Sequence, residues 1–155
     1  MIENGVLKAY IHSRETAGKL GGESRNSRSQ GYARPIIRMS NTFIAPDGTK
    51  FEEMLSELKN GIYLMGSRGG QVNPGEGVFQ FNAERGFMVE NGEIARPLRD
   101  VSLSGHTLEI LDSVVMIGND LEMNSGRCGK AGQLVPVSDG APHVLVKKAT
   151  VGGSG

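Results

Sequence analysis

The chain has one cysteine in 155 residues, and its setting could support chemistry. Cys128 lies in the run Ser125-Gly126-Arg127-Cys128-Gly129-Lys130-Ala131-Gly132-Gln133-Leu134-Val135-Pro136, between glycines at 126, 129 and 132 and beside two cations. The cations Arg127 and Lys130 favour the thiolate, the form that binds metals and attacks electrophiles. The glycines read as a loop shaped around the thiol. The plainer alternative is that a lone cysteine acts as a small buried hydrophobe. A second glycine-rich run, Gly66-Ser67-Arg68-Gly69-Gly70-Gln71, has neither the Walker ending nor the spacing of a dinucleotide fingerprint. Its use is to bring main-chain amides and carbonyls close to another chain. Arg68, Gly69, Gly70 and Gln71 are therefore candidate substrate-binding residues, with Arg68 able to hold a carbonyl or carboxylate. His12, His106 and His143 are far apart, and none forms the i, i+4 pair that puts two imidazoles on one helix face.

Composition narrows the classes that these residues can serve. Seventeen basic and 17 acidic residues give zero net charge, so no chain-wide attraction to nucleic acid or an anionic membrane is expected. The stretch 21–34 carries Arg25, Arg28 and Arg34 among serines, with Tyr32 the single aromatic available for stacking. It reads as a solvated surface loop. One cysteine excludes an internal disulfide, and no apolar run is long enough to span a membrane or to act as a signal peptide. The cytoplasm is the expected address. The length suits a single domain over residues 1–155, and 23 glycines favour turns over long helices.

The elements expected to position these residues are mostly strands. They fall at residues 6–11, 35–45, 62–65, 78–82, 86–90, 93–96, 98–103 and 121–123. A hairpin is marked by Asn91-Gly92. Residues 133–137 and 143–147 read as a closing pair around a Ser138-Asp139-Gly140 turn. Ser13 is positioned to cap one helical turn at 15–20. Thr49 and Glu52 have capping-box spacing ahead of a helix whose apolar face is Phe51, Met54, Leu55 and Leu58. A second main helix is expected from His106 or Thr107 through Ile117, and residues 150–155 as a glycine-rich tail. The fold class is α+β, sheet-dominated, with mostly antiparallel strands and two main helices.

Several runs resemble one family in the same order along the chain. They are Asn-Gly-Val-Leu-Lys at 4–8, Arg-Met-Ser-Asn-Thr at 38–42 and Gly-Gly-Gln-Val at 69–72. Further on come Val-Glu-Asn-Gly-Glu-Ile at 89–94, Gly-Asn-Asp-Leu at 118–121, the cysteine run at 125–137 and Thr-Val-Gly-Gly at 150–153. Together they resemble the C-terminal domain of the TldD/PmbA family, which contains TldD-type metallopeptidases and the proteins once called modulators of DNA gyrase. The resemblance implies a composite metal site. A helix bearing His-Glu-x-x-x-His supplies two imidazoles and a general base, and Cys128 supplies a third ligand to a divalent metal, zinc. Cys128 marks a TldD-type rather than a PmbA-type chain, although Arg127 stands where that family typically has threonine.

No His-Glu-x-x-x-His occurs in the 155 residues. The resemblance therefore implies a chain that is inactive alone and binds metal only with histidines from elsewhere. It also implies a peptide or unfolded-protein substrate, part of a peptide-binding channel near residues 66–72, and a homodimer or a PmbA-type partner subunit. The alternative is a non-catalytic peptide-binding or subunit-assembly module. A cysteine-dependent enzyme would need His106 or His143 within hydrogen-bond reach of Cys128.

Overall fold

The computed structural model describes residues 1–154. The chain divides into two compact units, one of Met1–Ala45 with Leu121–Pro142, the other of Pro46–Asp120 with the chain from His143 onward. Among the described residues strands dominate, most pairings are antiparallel, and of three helices two are seven residues or longer. The α+β class read from the sequence is the class observed.

The first unit is built on a long hairpin. Glu122–Lys130 pairs antiparallel with Gln133–Ala141, Cys128 facing Val135, and the two-residue turn Ala131-Gly132 has φ of +48° and +72°. Two consecutive positive φ values match the right-handed twist of the flanking strands. Asn41–Phe43 adds to the hairpin in parallel, opposite residues 138–140. Small antiparallel pairs, Ile2–Glu3 with Val6–Leu7 and Ser27–Arg28 with Ile36–Ile37, complete the unit. Helix Arg14–Leu20 begins as expected at Ser13, whose Oγ accepts from the Thr16 amide at 3.0 Å.

The cysteine run is thus strand and tight turn rather than an open loop. Gly126 and Gly129 are strand residues, and of the three glycines Gly132 alone takes a positive φ. The expected Ser138-Asp139-Gly140 turn is also absent, because those residues continue the second strand of the hairpin. A Cβ on Gly140 would lie 2.8 Å from the Glu122 carbonyl oxygen, so this glycine permits close strand approach rather than a reversal. The arginine-bearing stretch is not simply solvated. Arg28 donates to the Pro136 carbonyl, the Gln30 amide to Gln133 Oε1 at 2.9 Å, and Gln133 Nε2 to the Arg34 carbonyl at 3.0 Å.

The second unit holds a sheet around the 14-residue strand Glu93–His106. Its first half pairs with Arg85–Glu90, which pairs in turn with Gly61–Met65. Its second half lies between Val78–Asn82 and Thr150–Ser154. Asn91-Gly92 makes the expected hairpin turn with φ of +52° and +81°. The predicted breaks at 96–98 and the tail at 150–155 are instead strand, Gly155 lying outside the described residues. Gly153 lets the last strand approach, since a Cβ there would lie 2.9 Å from Val101 Cγ1. Val89 is fully buried and Val101 nearly so, which centres the core on this sheet.

Helix Phe51–Leu58 starts one residue later than predicted: the Lys50 amide donates to Glu53 Oε2 at 3.1 Å. The expected second main helix covers only Thr107–Asp112. Val114–Ile117 is a strand paired with Val144–Val146, because β-branched residues find a cross-strand partner there.

Candidate functional site: a hairpin thiol and an open sheet edge

Cys128 is half-buried on the first strand of the long hairpin. Strand alternation sends Arg127 to the opposite face, and Lys130 spends its ammonium on the Ile37 carbonyl at 2.9 Å. The cation at the sulfur is Arg38, 2% exposed and 90 residues away in sequence. Its Nη1 donates to the Cys128 carbonyl at 2.8 Å and lies 3.6 Å from Sγ. Nη2 donates to the carbonyls of Lys130 at 3.0 Å and Gln133 at 3.4 Å. Arg38 falls in the predicted strand 35–45 and in the Arg-Met-Ser-Asn-Thr run, but nothing in its spacing ties it to Cys128; a cation directly after the apolar pair Ile36-Ile37 is the available signal.

The glycine-rich run leads into Gly70–Asn73, which among the described residues pairs only with Val78–Asn82 and is the outermost strand of its sheet. Gly69 accepts from the Asn82 amide at 3.0 Å. Antiparallel alternation then places Gln71 in the next bonded pair and turns the N–H and C=O groups of Gly70 and Val72 outward. Arg68, Gly69, Gly70 and Gln71 all border one groove of about 690 Å³, with Gln80 and Ser104 continuing across it. Arg68 Nη2 is engaged with the Glu84 carbonyl at 3.0 Å. The structure therefore brings the four candidate residues together, while Cys128 belongs to the other compact unit. Uncharged amides and hydroxyls next to an unpaired strand edge can accept an extended main chain.

A polar cluster that the sequence did not reveal joins Asp120, His143 and Tyr63. His143 Nδ1 meets Asp120 Oδ2, its amide donates to Asp120 Oδ1 at 3.0 Å, and Nε2 lies 2.7 Å from the Tyr63 hydroxyl. The Phe51 ring packs on the imidazole at 4.2 Å between centroids. Partial desolvation pushes the Asp120 carboxyl upward, but the hydrogen bonds from the His143 amide and ring outweigh it, and the group sits below its ordinary value of 3.8. A carboxyl lowered in the folded state contributes stability that is complete above that ordinary value and is lost as pH falls through the folded one. With Asp120 37% exposed, the contribution stays below about 1 kcal/mol. Asp120→Asn is expected to lower the melting temperature at pH 7 by about 2–4 °C at most and to flatten the fall below pH 4, so that variant and wild type converge in acid. An unaltered acid limb in thermal melts would remove Asp120 from that account.

These positions also limit what the histidines can do. His12 Nδ1 lies 3.2 Å from Thr16 Oγ1, His143 is engaged with Asp120 and Tyr63, and Cys128 Sγ accepts from Arg38. Among the described residues no three His, Cys, Asp or Glu side chains come together as a metal cage. Cys128 is chemically suited to zinc as a soft donor, but it is one donor of the four that a tetrahedral site needs.

Residues 1–153 match the family described as the PmbA/TldA metallopeptidase C-terminal domain. A metalloprotease of Archaeoglobus fulgidus is 58% identical over 99% of this chain and 36% of its own length. A zinc metalloprotease TldD homolog of Saccharolobus solfataricus is 42% identical over 99% of this chain and 35% of its own length. Among solved structures, a Thermotoga maritima protein described as a modulator of DNA gyrase superposes with a TM-score of 0.74 at 34% identity. That alignment covers 97% of this chain and 32% of the other. The chain thus spans about a third of the length of the curated relatives it matches. With the family matched from residue 1 to 153, the chain belongs to the PmbA/TldA metallopeptidase C-terminal domain family.

Proposed function

We propose that this chain is the C-terminal part of a TldD-type metallopeptidase and supplies Cys128 as one ligand to a divalent metal, zinc. The remaining ligands and the general base lie on a His-Glu-x-x-x-His segment that this sequence does not contain. The observation that carries the reading is the setting of Cys128, a half-buried thiol on a regular hairpin with a buried guanidinium at its sulfur. When bound, the metal supplies Lewis acidity and a water of lowered pKa. The chain's own residues position the sulfur and hold the substrate. The outward main-chain groups of Gly70 and Val72 pair with an extended peptide or unfolded segment, and Gln71, Gln80 and Ser104 face it without demanding a charged side chain. Arg68 borders the same groove and adds a donor for a carbonyl or carboxylate.

On this reading the 155-residue chain is inactive alone. It works in the cytoplasm within a homodimer or beside a PmbA-type subunit, needing neither nucleic acid nor a membrane. No helix among the described residues is long and apolar enough to cross one. The test is metal content and peptide cleavage of the chain, with and without an added segment bearing His-Glu-x-x-x-His. Neither is expected from the chain alone, and both are expected on complementation. Tight metal and cleavage by the unaided chain would overturn the reading. Peptide binding without either property, even after complementation, would favour a non-catalytic binding module.

A further inference from the structure

We propose that Arg38 is the positioning residue of the Cys128 sulfur, fixing the direction in which the thiol is presented. This rests on the reading of Cys128 as a ligand and adds the residue that holds it. Arg38 is 2% exposed, and the side-chain ion pairs with carboxylates among the described residues are Lys19–Glu15, Arg25–Glu23 and His143–Asp120. A guanidinium stays charged, and burying it without a carboxylate is costly unless its donors are satisfied. Its donors are spent almost entirely on the hairpin: Nη1 on the Cys128 carbonyl and near the sulfur, Nη2 on the carbonyls of Lys130 and Gln133.

Those three carbonyls bracket the Ala131-Gly132 turn, so the planar fork grips both strands of the hairpin at its tip. The same Nη1 that fixes the Cys128 main chain reaches its sulfur, which couples the position of the backbone to the direction of Sγ. Nε is buried and without a partner among the described residues, so the bonds made by Nη1 and Nη2 must offset the burial of the charge. Sγ is the only group among its partners able to carry negative charge. Supporting groups of this kind orient metal ligands, and their loss typically weakens a site 10–100-fold. A lysine has one ammonium in place of the fork and cannot hold three carbonyls and the sulfur at once.

The test is the rate at which iodoacetamide alkylates Cys128 in this chain at one pH, followed by mass spectrometry. Arg38→Lys and Arg38→Ala are compared with wild type, and their folding is checked by circular dichroism. Both variants are expected to react about tenfold more slowly, the lower end of the loss that follows removal of a group orienting a ligand, because the sulfur is no longer held in one direction. Methylguanidinium is expected to restore part of the rate in Arg38→Ala only. Folded variants with wild-type rates, or an unreactive wild-type thiol, would overturn the proposal. If neither variant folds, the side-chain nitrogen resonances of Arg38 in wild type decide: they must shift on alkylation, and unchanged signals overturn the proposal. The ligand reading fails separately, by absence of metal on complementation in a chain whose alkylation still depends on Arg38.

Discussion

Cys128→Ala is expected to abolish metal-dependent peptide cleavage in a full-length protein carrying this domain and to leave the domain folded. The two halves of the expectation have different causes. For function, the substitution removes a ligand, so metal affinity should fall by more than the hundredfold or so that marks the loss of a supporting residue. For folding, the side chain is half-buried on a strand, and the hairpin is held by nine cross-strand residue pairs together with the Arg38 fork on main-chain carbonyls that an alanine also has. The cost to stability should therefore stay near that of an ordinary surface change, about 0.5 kcal/mol. Metal content by elemental analysis, cleavage of an unstructured peptide and a thermal melt separate the two. Full activity with stoichiometric metal in the variant would sink the ligand assignment. A collapsed melting temperature would instead make Cys128 a structural residue.

Local signals were legible wherever the chemistry was local. Asn91-Gly92 announced its hairpin because both positions need positive φ, and Ser13 announced a helix because its hydroxyl can reach the Thr16 amide. Gly70 and its neighbours were legible as a place of close main-chain approach, and the groove they border is a direct consequence. What failed was inference from punctuation. Gly140 and the glycines near the C-terminus read as turn and tail, yet they are strand residues whose missing side chains make room for Glu122, Val101 and Ser102. Residues 114–117 fitted a helical stripe and became a strand because Val144–Val146 lies alongside to pair with them.

At the site the limit was distance along the chain. Arg127 and Lys130 were the obvious cations for Cys128, being adjacent in sequence, but alternation and the Ile37 carbonyl take them elsewhere. Arg38, 90 residues away, reaches the sulfur only because the hairpin packs over the segment that follows Ile36–Ile37. The Asp120–His143–Tyr63 cluster has the same origin: each member looks like an isolated polar residue until the fold assembles them. A single sequence carries residue types and spacings, whereas these contacts depend on which strands become neighbours.

Gly70→Ala is expected to lower stability by about 2–3 kcal/mol, the range for forcing atoms into a packed contact. In a chain of this size that is a fall of about 5–10 °C in melting temperature. The reason is a backbone collision. A Cβ built on Gly70 would lie 2.1 Å from the Gln80 carbonyl oxygen and 2.7 Å from the Phe81 Cα, neither of which can rotate away as a side chain could. The strand must therefore shift outward against its pairing with Val78–Asn82, on the only side where it has a partner. Gly69 is the internal control. Open space surrounds its Cβ position and only its φ of +93° opposes a side chain, so Gly69→Ala should cost about 1 kcal/mol. Hydrogen exchange then locates the damage: amides of Gln71 and Gln80 should lose protection in Gly70→Ala before the strands around Val89 do. Because Gly70 contributes both to the groove and to the outward-facing edge, the same variant should weaken capture of an extended peptide. Equal melting temperatures for the Gly70 and Gly69 variants would show that the edge strand yields without cost. In that case it is too loosely held to act as a template for a bound chain.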